Sequence, residues 1–181
     1  MEFEAKSFPL KDGRAAVLRN PEPEDAPELL AFLRETTAET DFLLNYPEEC
    51  TWTEELERAL LTGFRVNPDQ LFLACYVKGR LAGTCNLQRL GKRKTRHRAE
   101  LAIALRREFW GQGIGTAMFG ALIGTARAMG VAQLELDYIE GNDRARALYE
   151  KMGFICYAEH PDAIRLKDGR SLRLFAMRKT L

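Results

Sequence analysis

The chain has 181 residues, 46% of them hydrophobic, with 27 Lys and Arg against 26 Asp and Glu and a net charge of +1. That length predicts one domain over residues 1–181, burying about 70% of the surface of its unfolded chain. The balanced charge excludes a global field that would draw the protein to nucleic acid, and no apolar run is long enough to span a bilayer, so neither a nucleic-acid partner nor a membrane is expected. The four cysteines, Cys50, Cys75, Cys85 and Cys156, form no C-x-x-C pair, and the N-terminus has no apolar signal core. Reduced thiols in the cytoplasm are the expectation.

Ala15 to Arg19 predicts a first strand, and the Pro- and Glu-rich Asn20 to Pro27 segment starts a helix carrying Leu29, Leu30, Phe32 and Leu33. Thr51 and Glu54 predict a capping box for a second helix through about Val66. Leu71 to Val77 and Leu81 to Leu90 predict a hairpin across Lys78-Gly79-Arg80. Ala99 to Leu105 is a mostly apolar run that leads into Trp110-Gly111-Gln112-Gly113-Ile114-Gly115-Thr116. Ile114, Met118, Ala121, Leu122, Thr125 and Met129 then recur at helical spacing, with Gly130 as the stop. A strand from Gln133 to Tyr138 precedes Asn142, which predicts the N-cap of a short helix ending at Gly153. Asp168-Gly169 predicts a closing hairpin between Ile164 to Lys167 and the strand from Ser171 to Met177. This order of elements reads as a mixed α/β sandwich.

The chemistry concentrates in the glycine turn. Glycines bend the backbone tightly and let a ligand approach the amides, and the first turn of a helix offers unpaired N–H groups and a partial positive charge. Together they favour a phosphate. A dinucleotide fingerprint, G-x-G-x-x-G, would need glycine where Thr116 stands, although Asp137 lies near the distance expected of a ribose-binding acid.

The W-G-Q-G-I-G-T turn after Ala99 to Leu105, followed by N-D-R-A-R-A-L-Y-E-K-M-G-F from Asn142 to Phe154, resembles the GCN5-related N-acetyltransferase family. The resemblance implies an acyl-CoA N-acyltransferase fold, with a central mixed, mostly antiparallel sheet of about seven strands and about four helices. It implies acetyl-CoA as co-substrate without a metal, and transfer of the acetyl group to a primary amine on a small molecule or peptide. Homodimers are common among such proteins. A non-catalytic acyl-CoA sensor or interaction module is the alternative reading.

By the resemblance, Gly111, Gln112, Gly113, Ile114, Gly115 and Thr116 grip the pyrophosphate of acetyl-CoA. Trp110 departs from the Gln or Arg that usually opens this turn, and Arg106 and Arg107 are candidates to supply the charge instead. Backbone N–H groups of Ile103, Ala104 and Leu105 are the candidates for oxyanion stabilisation. The family places a tyrosine, Tyr149 in this sequence, beside the CoA sulfur. From spacing alone, Tyr149 shares a helical face with Ala145, Leu148 and Met152 and reads equally as core. Asn142 reads as a helix cap, whereas the resemblance makes it a hydrogen-bond partner of the pantetheine arm. Glu100 is the candidate base, working through water or with a raised pKa, or it is a strand-edge carboxylate paired with Arg98 or Arg96.

Two charged stretches complete the reading. Lys92, Arg93, Lys94, Arg96, His97 and Arg98 form either a solvated hairpin loop or a contact for the 3′-phosphate of CoA. Between Glu35 and Glu57 stand Glu35, Glu39, Asp41, Glu48, Glu49, Glu54, Glu55 and Glu57 with no Lys or Arg, either as solvated helix faces or as a negative wall for a cationic amine such as a polyamine, an amino acid, a peptide N-terminus or an aminoglycoside.

Overall fold

Eight strands and four helices alternate along the chain in a computed structural model that describes residues 1–181. They are β1 (Lys6–Pro9), β2 (Ala15–Arg19), α1 (Ala26–Glu39), α2 (Glu54–Val66), β3 (Gln70–Val77), β4 (Arg80–Arg89), β5 (Arg98–Leu105), α3 (Ile114–Ala128), β6 (Gln133–Ile139), α4 (Asp143–Lys151), β7 (Ile155–Arg165) and β8 (Ser171–Thr180). The strands form one sheet in the order β1-β2-β3-β4-β5-β6-β8-β7. Every neighbouring pair is antiparallel except β5 and β6. One parallel pair in eight strands excludes a doubly wound dinucleotide fold, which needs a mostly parallel sheet.

The sheet has eight strands where about seven were expected. The addition is β1, four residues ending in proline and paired only with β2; so short a segment carries no readable period. The second helix is capped two residues later than expected. Thr53, not Thr51, is the N-cap, its hydroxyl accepting from the Leu56 N–H at 3.4 Å, so Glu54 opens the helix instead of closing a capping box.

Two apolar clusters sit on opposite faces of the sheet. On one face Leu71, Leu73, Leu87, Leu101 and Leu134 pack against Ile114, Met118, Phe119 and Leu122 of α3. On the other, Ala74, Tyr76 and Leu81 pack against Ala26, Leu29 and Phe32 of α1 and Leu61 of α2. Alternation along β5 then divides its side chains: Leu101 and Ile103 face the α3 side, while Ala104 packs on the α1/α2 side. Glu100 and Ala102 share the face of Ala104. All four cysteines are free, and no helix is long and apolar enough to cross a membrane.

Candidate active site

The sheet opens where its two parallel strands meet. β5 pairs with β4 from Ala99↔Arg89 to Leu105↔Gly83, and β6 pairs with β8 from Gln133↔Thr180 to Ile139↔Leu174, but β5 and β6 pair with each other only from Arg98↔Gln133 to Glu100↔Glu135. Beyond Glu100 and Glu135 the two strands diverge, each keeping one full partner. Which main-chain groups face the opening follows from the ladder. Leu90 N–H donates to the Arg98 carbonyl and Arg106 N–H to the Ala82 carbonyl, so the even-numbered residues of β5 turn their main chain to β4 and the odd-numbered ones to β6. Ile103 and Leu105 therefore present N–H groups to the opening, whereas Ala104 turns its own to β4. A continuous cleft of about 1290 Å³ runs through this opening and exposes both faces of the sheet.

On the α3 face the cleft meets the glycine turn. Gly111 and Gly113 have φ of 78° and 96°, a region that side chains strain to enter. Gly113 is the N-cap of α3 and provides no side-chain cap, and the first helical N–H with a helical acceptor is that of Ala117. The amides of Ile114, Gly115 and Thr116 are thus without helical partners at the positive end of the dipole. Gly115 serves packing, since a Cβ there would stand 2.8 Å from Leu148 Cδ2 and 3.7 Å from Ile103 Cδ1. The helix start is thereby seated against α4 and the end of β5.

The cations at this turn are not the expected ones. Arg106 is 3% exposed, donates from Nε to the Leu81 carbonyl at 2.8 Å and is ion-paired with Glu35. Arg107 is tied to Glu39, its N–H donating to the Glu39 carboxylate at 2.8 Å. Lys11 and Arg144 line the cleft instead. The Lys11 N–H reaches the Gln112 carbonyl at 3.4 Å, and the Arg144 guanidinium lies 5.0 Å from the centre of the Trp110 ring. Neither was legible from sequence: Lys11 precedes the turn by about a hundred residues, and Arg144 lies inside a helix motif that drew attention for other positions. Trp110 has a structural task, its indole N–H donating to the Leu105 carbonyl at 2.9 Å and fastening the turn to the strand end.

Tyr149 and Asn142 flank the same cleft. The Tyr149 ring packs with Phe119, Tyr138 and Phe154 at centroid distances of 5.4, 6.3 and 6.4 Å. Burial pushes its phenol up to about 12, and its hydroxyl makes no hydrogen bond within the protein. The ring is part of the core, as its spacing predicts, and the residue also lines the cleft. Asn142 likewise divides its amide. Its Oδ1 accepts from the Ala145 N–H at 3.2 Å as the cap of α4, and its Nδ2 has no partner.

On the α1/α2 face the cleft is walled by carboxylates. Glu100 has no ion pair, because Arg98 is engaged by Glu135 and Arg96 by Asp69 at 3.2 Å. This corrects the pairing of Glu100 with either arginine. Two residues beyond the end of β5–β6 pairing, Asp137 also lines the cleft, its carboxyl raised above the usual range by burial and by like charge from Glu135, against an opposing effect of His160. Glu57 of α2 is 9% exposed and lines the same space; burial raises it too. Most of the acidic window is spent on structure. Glu35 pairs with Arg106, Glu48 with Lys167, Glu54 with Arg58 at 3.6 Å, and Glu49 accepts from the Tyr46 N–H at 2.7 Å.

The basic run from Lys92 to Arg98 lies at the start of β5, seven residues from the glycine-turn end, or about 23 Å at 3.3 Å per residue. That separation removes it from the phosphate turn. No group of three or more His, Cys, Asp or Glu is placed to hold a metal ion.

A model of the acetyltransferase (GNAT) family matches residues 31–154. Among solved structures, an acetyltransferase of the GNAT family from Streptococcus pneumoniae superposes with a TM-score of 0.87 at 28% identity, covering 92% of this chain and 99% of that one. A ribosomal-protein-alanine N-acetyltransferase from Brucella melitensis gives 0.78 at 26% identity, with coverage of 91% and 99%. A GNAT superfamily phosphinothricin acetyltransferase from Sinorhizobium meliloti, in complex with acetyl-CoA, gives 0.78 at 22% identity, with coverage of 92% and 88%. No curated protein sequence matches the chain significantly.

Proposed function

Since this chain belongs to the acetyltransferase (GNAT) family, we propose that it moves an acetyl group from acetyl-CoA to a primary amine by direct attack on the thioester. The observation that carries the reading is the divergence of β5 and β6 after three paired residues, directly beside the uncapped start of α3. An extended thiol-bearing arm fits such an opening, because the strand edge offers main-chain groups that no other strand satisfies.

In this assignment the amides of Ile114, Gly115 and Thr116, released by the turn through Gly111, Gln112 and Gly113, hold the pyrophosphate, with Lys11 and Arg144 adding charge. Asn142 Nδ2 donates to the pantetheine arm, and the Ile103 N–H polarises the thioester carbonyl. An alkyl ammonium has a pKa of about 10.4, so at neutral pH on the order of one acceptor molecule in a thousand is nucleophilic. Glu100, unpaired and on the α1/α2 face, takes the proton directly or through water. The C–N bond forms as the C–S bond breaks, and the Tyr149 O–H donates to the departing thiolate.

The test is ligand-induced stabilisation joined to turnover. Acetyl-CoA at about 100 times its Kd should add about 2.7 kcal/mol of stability, and an amine panel should release free CoA thiol. Stabilisation without thiol release from any amine would make the protein an acyl-CoA-binding module, and no response to acetyl-CoA would sink the reading altogether.

A further inference from the structure

The acceptor side of the cleft carries a carboxylate that the chain leaves unanswered. Glu57 is nine-tenths buried, accepts no hydrogen bond and joins no ion pair, although it lies in the first turn of a helix that is otherwise well fastened. Its neighbour Arg58 is committed elsewhere, donating to the Pro23 carbonyl at 2.9 Å and pairing with Glu54 at 3.6 Å. Its stem is buried while its carboxylate oxygens keep access to the cleft, so a cation entering there meets an acceptor that no protein donor already occupies.

The cation that would complete it does not come from the cleft walls. Lys11, Arg144 and Lys151 are the Lys and Arg side chains that line the cleft, and they lie at the glycine turn and on α4, on the α3 face. The α1/α2 face contributes Glu57, Glu100 and Asp137, none of them ion-paired, with His160 near Asp137. On that face the lining is mixed, with Leu29 and Leu33 of α1 and Phe72 of β3 beside Thr84, Asn86 and Gln88 of β4.

Resting on the acetyltransferase reading, we propose that the acceptor is a linear diamine or polyamine whose far ammonium is held by Glu57 while its near amine reacts beside Glu100. An acid at each end, with no Lys or Arg lining the cleft between them, matches a chain that carries a cation at each end. An anionic acceptor such as phosphinothricin meets three free carboxylates there and no Lys or Arg lining that side of the cleft. A peptide N-terminus would use the carboxylate near the thioester and leave Glu57 buried without a counter-ion.

The experiment follows thiol release from acetyl-CoA by the whole chain with 1,3-diaminopropane, putrescine, cadaverine and spermidine, against n-butylamine, phosphinothricin and an alanine-starting peptide. The best diamine or polyamine should exceed n-butylamine in kcat/KM by about 10-fold or more, mostly through KM, as expected for an added charge-assisted contact. In Glu57→Gln, checked for folding by its melting temperature, that margin should shrink to about twofold. The proposal is overturned if n-butylamine, phosphinothricin or the peptide matches the best diamine, or if the margin survives the substitution. The wild-type ranking decides the matter alone should the variant fail to fold. Stabilisation by acetyl-CoA with no amine turned over would also overturn it, whereas no stabilisation at all would remove the acetyltransferase reading beneath it.

Discussion

Replacing Tyr149 by Phe removes one oxygen from a packed aromatic cluster. Because that hydroxyl has no protein partner while the ring touches Phe119, Tyr138 and Phe154, the variant should fold with a melting temperature within about 1 °C of wild type. Its effect should fall on turnover. A hydrogen bond to a charged acceptor contributes about 1.5–3 kcal/mol, so losing it from the departing thiolate should lower kcat by about 10-fold to 100-fold with acetyl-CoA affinity unchanged. The phenol is pushed up to about 12 by burial, against about 8.5 for an ordinary thiol, so full proton transfer would run uphill by about 5 kcal/mol. In the proposed mechanism Tyr149 is therefore a donor that stays protonated, and the pH–rate profile below about pH 10 should keep its shape in the variant. Steady-state and single-turnover measurements of thiol release across that range provide the assay. Wild-type kcat in Tyr149→Phe would refute the reasoning, and so would loss of an alkaline limb that wild type possesses.

Three further outcomes are expected. Gly113→Ala places a side chain at a φ of 96° with nothing within 4 Å to clash, so the cost is conformational, about 1–2 kcal/mol and about 2–8 °C in melting temperature, with weaker acetyl-CoA binding by calorimetry as the turn relaxes. Arg98→Met strips Glu135 of the ion pair that holds its carboxyl below the usual range. That stability is present above the unfolded pKa of about 4.3 and is lost as pH falls through the depressed value, so urea denaturation should show the variant weaker by about 1–3 kcal/mol near neutrality and the difference vanishing toward pH 3; equal differences at both would contradict this. Glu100→Gln should lower kcat/KM about 100-fold at neutral pH, with the deficit closing as pH approaches the amine pKa of about 10.4, where no base is needed; a deficit independent of pH would assign Glu100 to positioning instead.

Features with a local cause were legible in the sequence. The turn through Lys78 and Gly79, both at positive φ, joins the expected hairpin, and the Asp168-Gly169 turn joins β7 to β8. The glycine turn and α3 follow from residues within about twenty positions of one another, and so does the Asn142 cap of α4. The family resemblance rested on these same segments, which is why it could be stated before any packing was known.

What the sequence by itself determined, apart from β1 and most of β7, is the run of elements and the order in which they arrive, because turns, caps and periodicity are set by neighbours along the chain. Only the tertiary structure decided where the sheet opens, since the parting of β5 from β6 depends on each strand keeping a full ladder with β4 or β8. It also decided which charges are spent. Arg106 and Glu35 look available in sequence and are consumed by each other across some seventy residues, whereas Glu57, one acid among eight, is left buried and unpaired. Burial and ion pairing are properties of contacts between distant segments, and no local pattern encodes which of several like residues will meet a partner.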